Sequence, residues 1–215
     1  SDNGLVKSIL RNMDNIYLLD KIPDYEPLKE TSLGAMAEKS KKEINEFIYD
    51  ILLKDDGNAL LYYPIGNYLD YSLEASLEMI KSEHSLLGLG DGGAHCATIC
   101  DASFTTHMLT FWGRDRTRGE KLELPWIIKS YTQDNALAIG LKDRGVISEG
   151  MKADINIIDF DNLTLYSPEL LYDLPAGGKR LVQKVDGYKY TIVSGSVTYK
   201  DGVSTGELPG RLIRS

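Results

Sequence analysis

One carboxylate stands out among the titratable side chains by its setting. Asp91 lies in residues 85–95, S-L-L-G-L-G-D-G-G-A-H, where Leu86, Leu87 and Leu89 lead into it and Gly88, Gly90, Gly92 and Gly93 flank it. A short apolar run bounded by turn residues is the pattern of a fully buried strand in a parallel sheet. A carboxylate where such a strand ends stands where α/β folds, barrels above all, place their chemistry. The glycines let the backbone pass close to a partner or turn with φ > 0. Asp-Gly is equally a common turn dipeptide, and on pattern alone the turn has the stronger claim. A second constellation is Gly177-Gly178-Lys179-Arg180, whose consecutive N–H groups and two cations could hold an anion. The alternative is a turn with two exposed cations. Arg114 and Arg116, beside Trp112, are further candidates for the same task.

Metal chemistry is harder to read from this chain. The 3 histidines are His84, His95 and His107. His95 and Cys96 could in principle ligate zinc, but a catalytic site usually takes three protein ligands and this spacing matches no zinc pattern. His84 reads as a surface loop residue, and His107 as a packing or solvent-facing one. Cys96 and Cys100, the 2 cysteines, make no disulfide framework and read as free thiols. Residues 88–93 lack the Lys-Ser/Thr of a phosphate loop.

The elements that must position these groups alternate in type. Ser40 and Glu43 have the spacing of a capping box ahead of Ile44, Phe47, Ile48, Ile51 and Leu52, the i, i+3, i+4, i+7, i+8 stripe of an amphipathic helix. Residues 59–63 read as a buried strand ended by Pro64, and 72–82 return to helical spacing. With the run at Ser85 this makes a βαβ unit, which predicts parallel pairing. Pro125 is placed to open a helix that Gly140 ends. From Gly145 the pattern changes to strands at 153–157, 188–193 and 196–199, with turns at Ser194-Gly195 and Asp201-Gly202.

Composition narrows the function. The chain has 215 residues, 42% apolar and 26% charged, with a net charge of -8. Such a field repels nucleic acid and anionic lipid, and no basic stripe suggests phosphate binding. No apolar run approaches the length of a membrane span and no signal-peptide pattern opens the chain, so a cytoplasmic location is expected.

Residues 88–116, G-L-G-D-G-G-A-H-C-A-T-I-C-D-A-S-F-T-T-H-M-L-T-F-W-G-R-D-R, resemble the end of the barrel in N-acyl-D-amino-acid deacylases of the metal-dependent amidohydrolase superfamily. The block D-L-P-A-G-G-K-R at 173–180, with Leu181-Val182-Gln183 after it, and T-G-E-L-P-G-R at 205–211 resemble the same family, and the likeness runs from about Pro23 onward. The resemblance implies an α/β fold: the last strands and helices of a (β/α)₈ barrel over 1–143, then a small antiparallel β-subdomain over 144–215. It implies zinc-activated water attacking the N-acyl amide, with Asp91 as proton carrier and possible metal ligand, and Gly177 to Arg180 near the substrate carboxylate. None of the histidines forms the His-x-His pair the superfamily uses, so the other ligands are expected outside this chain. His107 and Thr105-Thr106 depart from the family pattern, the latter standing where relatives commonly have Pro.

A complete barrel takes about 250 residues, so the expectation is the C-terminal portion of a larger enzyme, inactive alone and partnered by its missing N-terminal portion. The alternative is a non-catalytic α/β module that binds a ligand or another subunit. Barrel strands without their neighbours leave unpaired edges and apolar faces. The isolated chain should therefore sediment as a homo-oligomer and bind an apolar dye, whereas a compact dye-silent monomer would favour the stand-alone module.

Overall fold

The computed structural model of the protein describes residues 12–68, 70–88, 90, 97–98 and 100–213. The chain divides into two compact units, 1–82 and 83–215. The change from helix to sheet near residue 144 falls inside the second. Among the described residues no helix is long and apolar enough to cross a membrane.

In the first unit, β1 (Tyr17–Leu18) and β2 (Leu61–Tyr62) form a short antiparallel pair, with helices α1 (Leu33–Ser40), α2 (Ile44–Leu52) and α3 (Glu74–Lys81). Ile16, Leu33, Ile48 and Ile51 make the core, with Ile44 and Phe47 packed against it. The stripe read on α2 is thus the face that buries apolar area, except for its last member, Leu52, which is exposed. Its cap differs from the expectation. Glu43 is the N-cap, its carboxylate accepting from the Asn45 and Glu46 N–H groups at 2.8 and 3.0 Å. Ser40 instead ends α1, donating to the Ala37 carbonyl, because Lys41 takes the left-handed conformation that closes that helix. The helix expected over 72–82 is α3, and buried Glu26 accepts the Leu73 N–H at its amino end at 2.8 Å.

The expected parallel pairing does not occur among the described residues. Leu61–Tyr62 pairs with Tyr17–Leu18, residues 85–88 carry no ladder, and every described strand pair is antiparallel. An apolar run fixes neither a strand nor uniform burial, and Leu86 is 61% exposed here. Leu87 is buried, but its carbonyl is met by a side-chain amide, Asn135 Nδ2 at 2.6 Å.

The second unit sets two helices beside two antiparallel sheets. Helix α4 runs over Phe104–His107 and continues as a π-helix over Met108–Asp115. Helix α5 runs over Leu124–Lys129, a π-helical stretch Ser130–Asp134 and Asn135–Ala138. The opening Pro125 and closing Gly140 fall as expected. Both wide stretches contain a threonine that donates to the carbonyl four residues back: Thr110 to Thr106 at 3.0 Å and Thr132 to Ile128 at 2.6 Å. Such back-bonding competes with the α ladder and deforms a helix.

Strands β3 (Ile155–Ile158), β6 (Tyr188–Val193), β7 (Ser196–Lys200) and β8 (Val203–Ser204) form one sheet in the order β3-β6-β7-β8. Ser194-Gly195 and Asp201-Gly202 turn it with positive φ at both residues, as their sequence predicts. The long ribbon β4 (Thr164–Leu174) with β5 (Gly178–Asp186) was not anticipated. Its ladder shifts register between Leu165 and Pro168 and again between Leu171 and Leu174, which hides the alternation. Gly187 joins ribbon to sheet at φ 111°, and a Cβ there would lie 2.7 Å from Leu163 Cα.

Arg114 ties the helices to this β-structure. Its guanidinium donates to the carbonyls of Phe160, of Asp161 at 3.2 Å and of Leu163 at 2.7 Å, and lies 5.5 Å from the Phe160 ring. It also pairs with Asp115. Arg116 is fully buried, its guanidinium 4.7 Å over Trp112 and one nitrogen donating to the Glu120 carbonyl at 3.0 Å. His107 stacks on Phe111 with centroids 4.9 Å apart, the packing alternative of the two read for it.

Lysine has no planar fork, so Arg114→Lys should lower the unfolding free energy by about 2 kcal/mol in urea titrations. Burial pushes the His107 imidazole down from 6.5 to about 4. Between those values the unfolded chain takes up a proton that the folded chain refuses. His107 therefore costs nothing above pH 6.5 and destabilises as pH falls toward 4, by up to about 3 kcal/mol. His107→Gln should flatten the dependence of the urea midpoint on pH across that window; an unchanged slope would assign the pH dependence elsewhere.

Candidate functional site

A cavity of about 320 Å³ opens in the second unit between the start of α4 and strand β5. Cys100, Asp101, Ser103 and Thr106 form one wall, and Arg180 and Gln183 stand on the other. The two walls are bolted together by polar side chains. Ser103 Oγ donates to Gln183 Oε1, whose amide nitrogen donates to the Tyr166 carbonyl at 2.7 Å. Thr106 Oγ1 and Tyr188 Oη share a hydrogen bond of 2.9 Å. These partners lie 80 and 82 residues apart in the chain, so no local pattern could pair them.

Asp91 lies outside the described residues, as do His95 and Cys96. The residue before Asp91 is described. A Cβ at Gly90 would lie 2.5 Å from the Asp101 carbonyl and closer still to the Phe104 ring, so only glycine fits against the start of α4. The chain leading to Asp91 therefore packs on the residues that begin the cavity wall.

The four residues expected to hold an anion occupy the end of the β4–β5 ribbon. Gly177 completes the tight turn Pro175–Gly177 at φ 73°, and Gly178, Lys179 and Arg180 open β5. Successive N–H groups of an extended strand point to opposite edges, so these three do not make one concavity. Arg180 is the member that reaches the cavity. It forks onto Asp173 with bonds of 2.8 and 2.7 Å, and holds that carboxyl below the usual carboxylate range. Arg114 and Arg116, the other cations considered, are spent on the contacts given above. His84 is exposed in a turn.

The described walls offer binding chemistry: a thiol, a carboxylate, a hydroxyl and a guanidinium around an apolar floor. Burial, with Asp101 adding to it, pushes the Cys100 thiol up. A thiol so held stays protonated and is a poor nucleophile. Among the described residues no three His, Cys, Asp or Glu side chains come together as a metal site. The described donors therefore do not fit a catalytic metal, which takes three protein ligands.

Residues 57–199 match the model of a family described as "Amidohydrolase family". A dihydroorotase from Lactobacillus acidophilus is 26% identical over 166 residues, covering 71% of this chain and 38% of the relative. The chain thus spans well under half the length of that curated relative. No solved structure matches it. The family match takes in the stretch around Asp91, both cavity walls and all of the β-structure of the second unit but its last edge, β8 and the end of β7, and the chain belongs to the amidohydrolase family.

Proposed function

We propose that this chain is the C-terminal part of a hydrolase of linear amide C–N bonds that removes the acyl group from N-acyl-D-amino acids. The observation that carries the reading is the family match over 57–199, which encloses the Asp91 stretch and the two wall segments of one cavity. The barrel end expected over 1–143 rests on the same likeness. The D-amino-acid substrate rests on the D-L-P-A-G-G-K-R block at 173–180 and the segment at 88–116, which resemble the deacylases.

In this reading Asp91 takes a proton from the attacking water and delivers it to the departing amine. A positioned carboxylate contributes such transfer when its pKa suits both directions. Arg180, on the cavity wall, binds the substrate carboxylate in exchange for part of its fork to Asp173, with Gly177, Gly178 and Lys179 shaping the approach. Zinc is the metal the resemblance implies, and its ligands belong to residues other than those described. The homo-oligomer expected of the isolated chain follows from the same incompleteness.

The test uses the full-length protein that carries this chain. N-acetyl-D-amino acids, their L counterparts and dihydroorotate are offered as substrates, and D-amino-acid release is expected to dominate. Turnover of dihydroorotate without turnover of the D compounds would replace the substrate assignment. Asp91→Asn should lower kcat about 10²- to 10⁴-fold, and unchanged turnover would remove Asp91 from the chemistry.

A further inference from the structure

We propose that the cavity between α4 and β5 takes a free amino acid as its zwitterion, the carboxylate on Arg180 and the ammonium on Asp101. That such a ligand is the product of this protein's reaction rests on the function proposed above. The binding itself rests on the cavity walls alone.

Most polar groups of these walls are spent on one another. Ser103 is bonded to Gln183 and Thr106 to Tyr188, so the neutral side chains hold the walls together. The Cys100 thiol stays protonated and is a weak hydrogen-bonding group. Two charges remain, of opposite sign and on opposite walls. Asp101 is exposed, and no ion pair or side-chain hydrogen bond joins it to another described residue. Its charge is felt at the Cys100 thiol, so the carboxylate lies close to a second group of the same wall. Arg180 is forked onto Asp173, but the two side chains are 43% and 44% exposed, and an exposed pair is worth little. A ligand carboxylate therefore takes over part of that fork at small cost, and its planar geometry suits a guanidinium.

A simple anion in this cavity would face the charge of Asp101, and a simple cation that of Arg180. Like charges set against each other are costly. A ligand carrying both signs meets a partner at each wall. The apolar floor of Leu181, Val182 and Val185 accepts an aliphatic side chain, and about 320 Å³ lies at the small end of ligand pockets, as a single amino acid requires. An N-acyl amino acid has the carboxylate but only a neutral amide N–H at its nitrogen. Deacylation leaves that nitrogen an ammonium at neutral pH, and its bond to a carboxylate becomes charge-assisted. Asp101 thus holds the product more tightly than the substrate and slows its release.

Calorimetry on the full-length protein that carries this chain tests the site. The probes are D-leucine, 4-methylpentanoate, which lacks the ammonium, and D-leucinamide, which lacks the carboxylate. D-Leucine is expected to bind at least about tenfold more tightly than either. Asp101→Asn should erase its advantage over 4-methylpentanoate without weakening 4-methylpentanoate itself. Arg180→Gln should weaken both carboxylates and leave D-leucinamide as it was. If the variants do not fold, the wild-type series decides: equal binding of D-leucine and either truncated probe overturns the zwitterion site. An undiminished advantage in folded Asp101→Asn overturns the role of Asp101. Where the charge series holds but N-acetyl-D-amino acids are not hydrolysed, the site stands and the deacylase reading fails. Hydrolysis without discrimination among the three probes overturns the site and leaves that reading intact.

Discussion

A single guanidinium joins the helices of the second unit to its β-structure. Arg114 sits at the end of the wide stretch of α4 and meets the carbonyls of Phe160, Asp161 and Leu163, the corner between β3 and β4. The Phe160 carbonyl also accepts the Leu163 N–H at 3.3 Å, so the guanidinium adds to a turn already closed on itself, and a carbonyl left unmet away from water is costly. A planar fork can serve several acceptors at once, which a point charge cannot. With that corner fixed, β5 lies where Gln183 can take the Ser103 hydroxyl and Tyr188 can meet Thr106. The cavity is thus the gap left between two layers held at one end by Arg114 and along their length by neutral hydrogen bonds.

The parts of this fold that follow local rules are visible in the sequence. The α2 stripe, the Pro125 start and Gly140 end of α5, and the two turns with positive φ at 194–195 and 201–202 each depend on residues within one or two turns of chain. Much of what failed depended on distant partners. Residues 59–63 are half-buried and Leu87 is buried, but which element meets their backbone is decided by Tyr17 in one case and Asn135 in the other. The Ser40–Glu43 box satisfied its spacing rule and still lost to a left-handed Lys41, which ended one helix and let Glu43 cap the next. The β4–β5 ribbon was masked by its register shifts and by a tight turn whose glycines suggested a binding loop.

The candidate site shows the same division. Of the residue types read from the sequence, the cation after the Gly-Gly pair, Arg180, stands on the cavity wall, whereas Asp91 lies outside the described residues. The walls themselves were not legible, because Ser103, Thr106 and Gln183 become a surface only when two segments some eighty residues apart are brought together. Arg180 was singled out for its charge, and its commitment to Asp173 emerged only from the strand register that sets them side by side. The close approach of Gly90 to Asp101 and Phe104 supplies a reason for that glycine beyond turn formation.

The two threonine back-bonds have a consequence for how such helices change length. A π turn holds one residue more than the α turn it replaces, so a single deletion near Thr110 or Thr132 could be absorbed by reverting to regular α geometry. Beyond the deletion the helix would keep its direction and its downstream faces. Without a wide turn to absorb it, the same loss would swing every later side chain by about 100°, and on α4 that would carry Arg114 off its corner. Single-residue deletions in this helix pair should therefore be tolerated near Thr110 and Thr132 and poorly elsewhere.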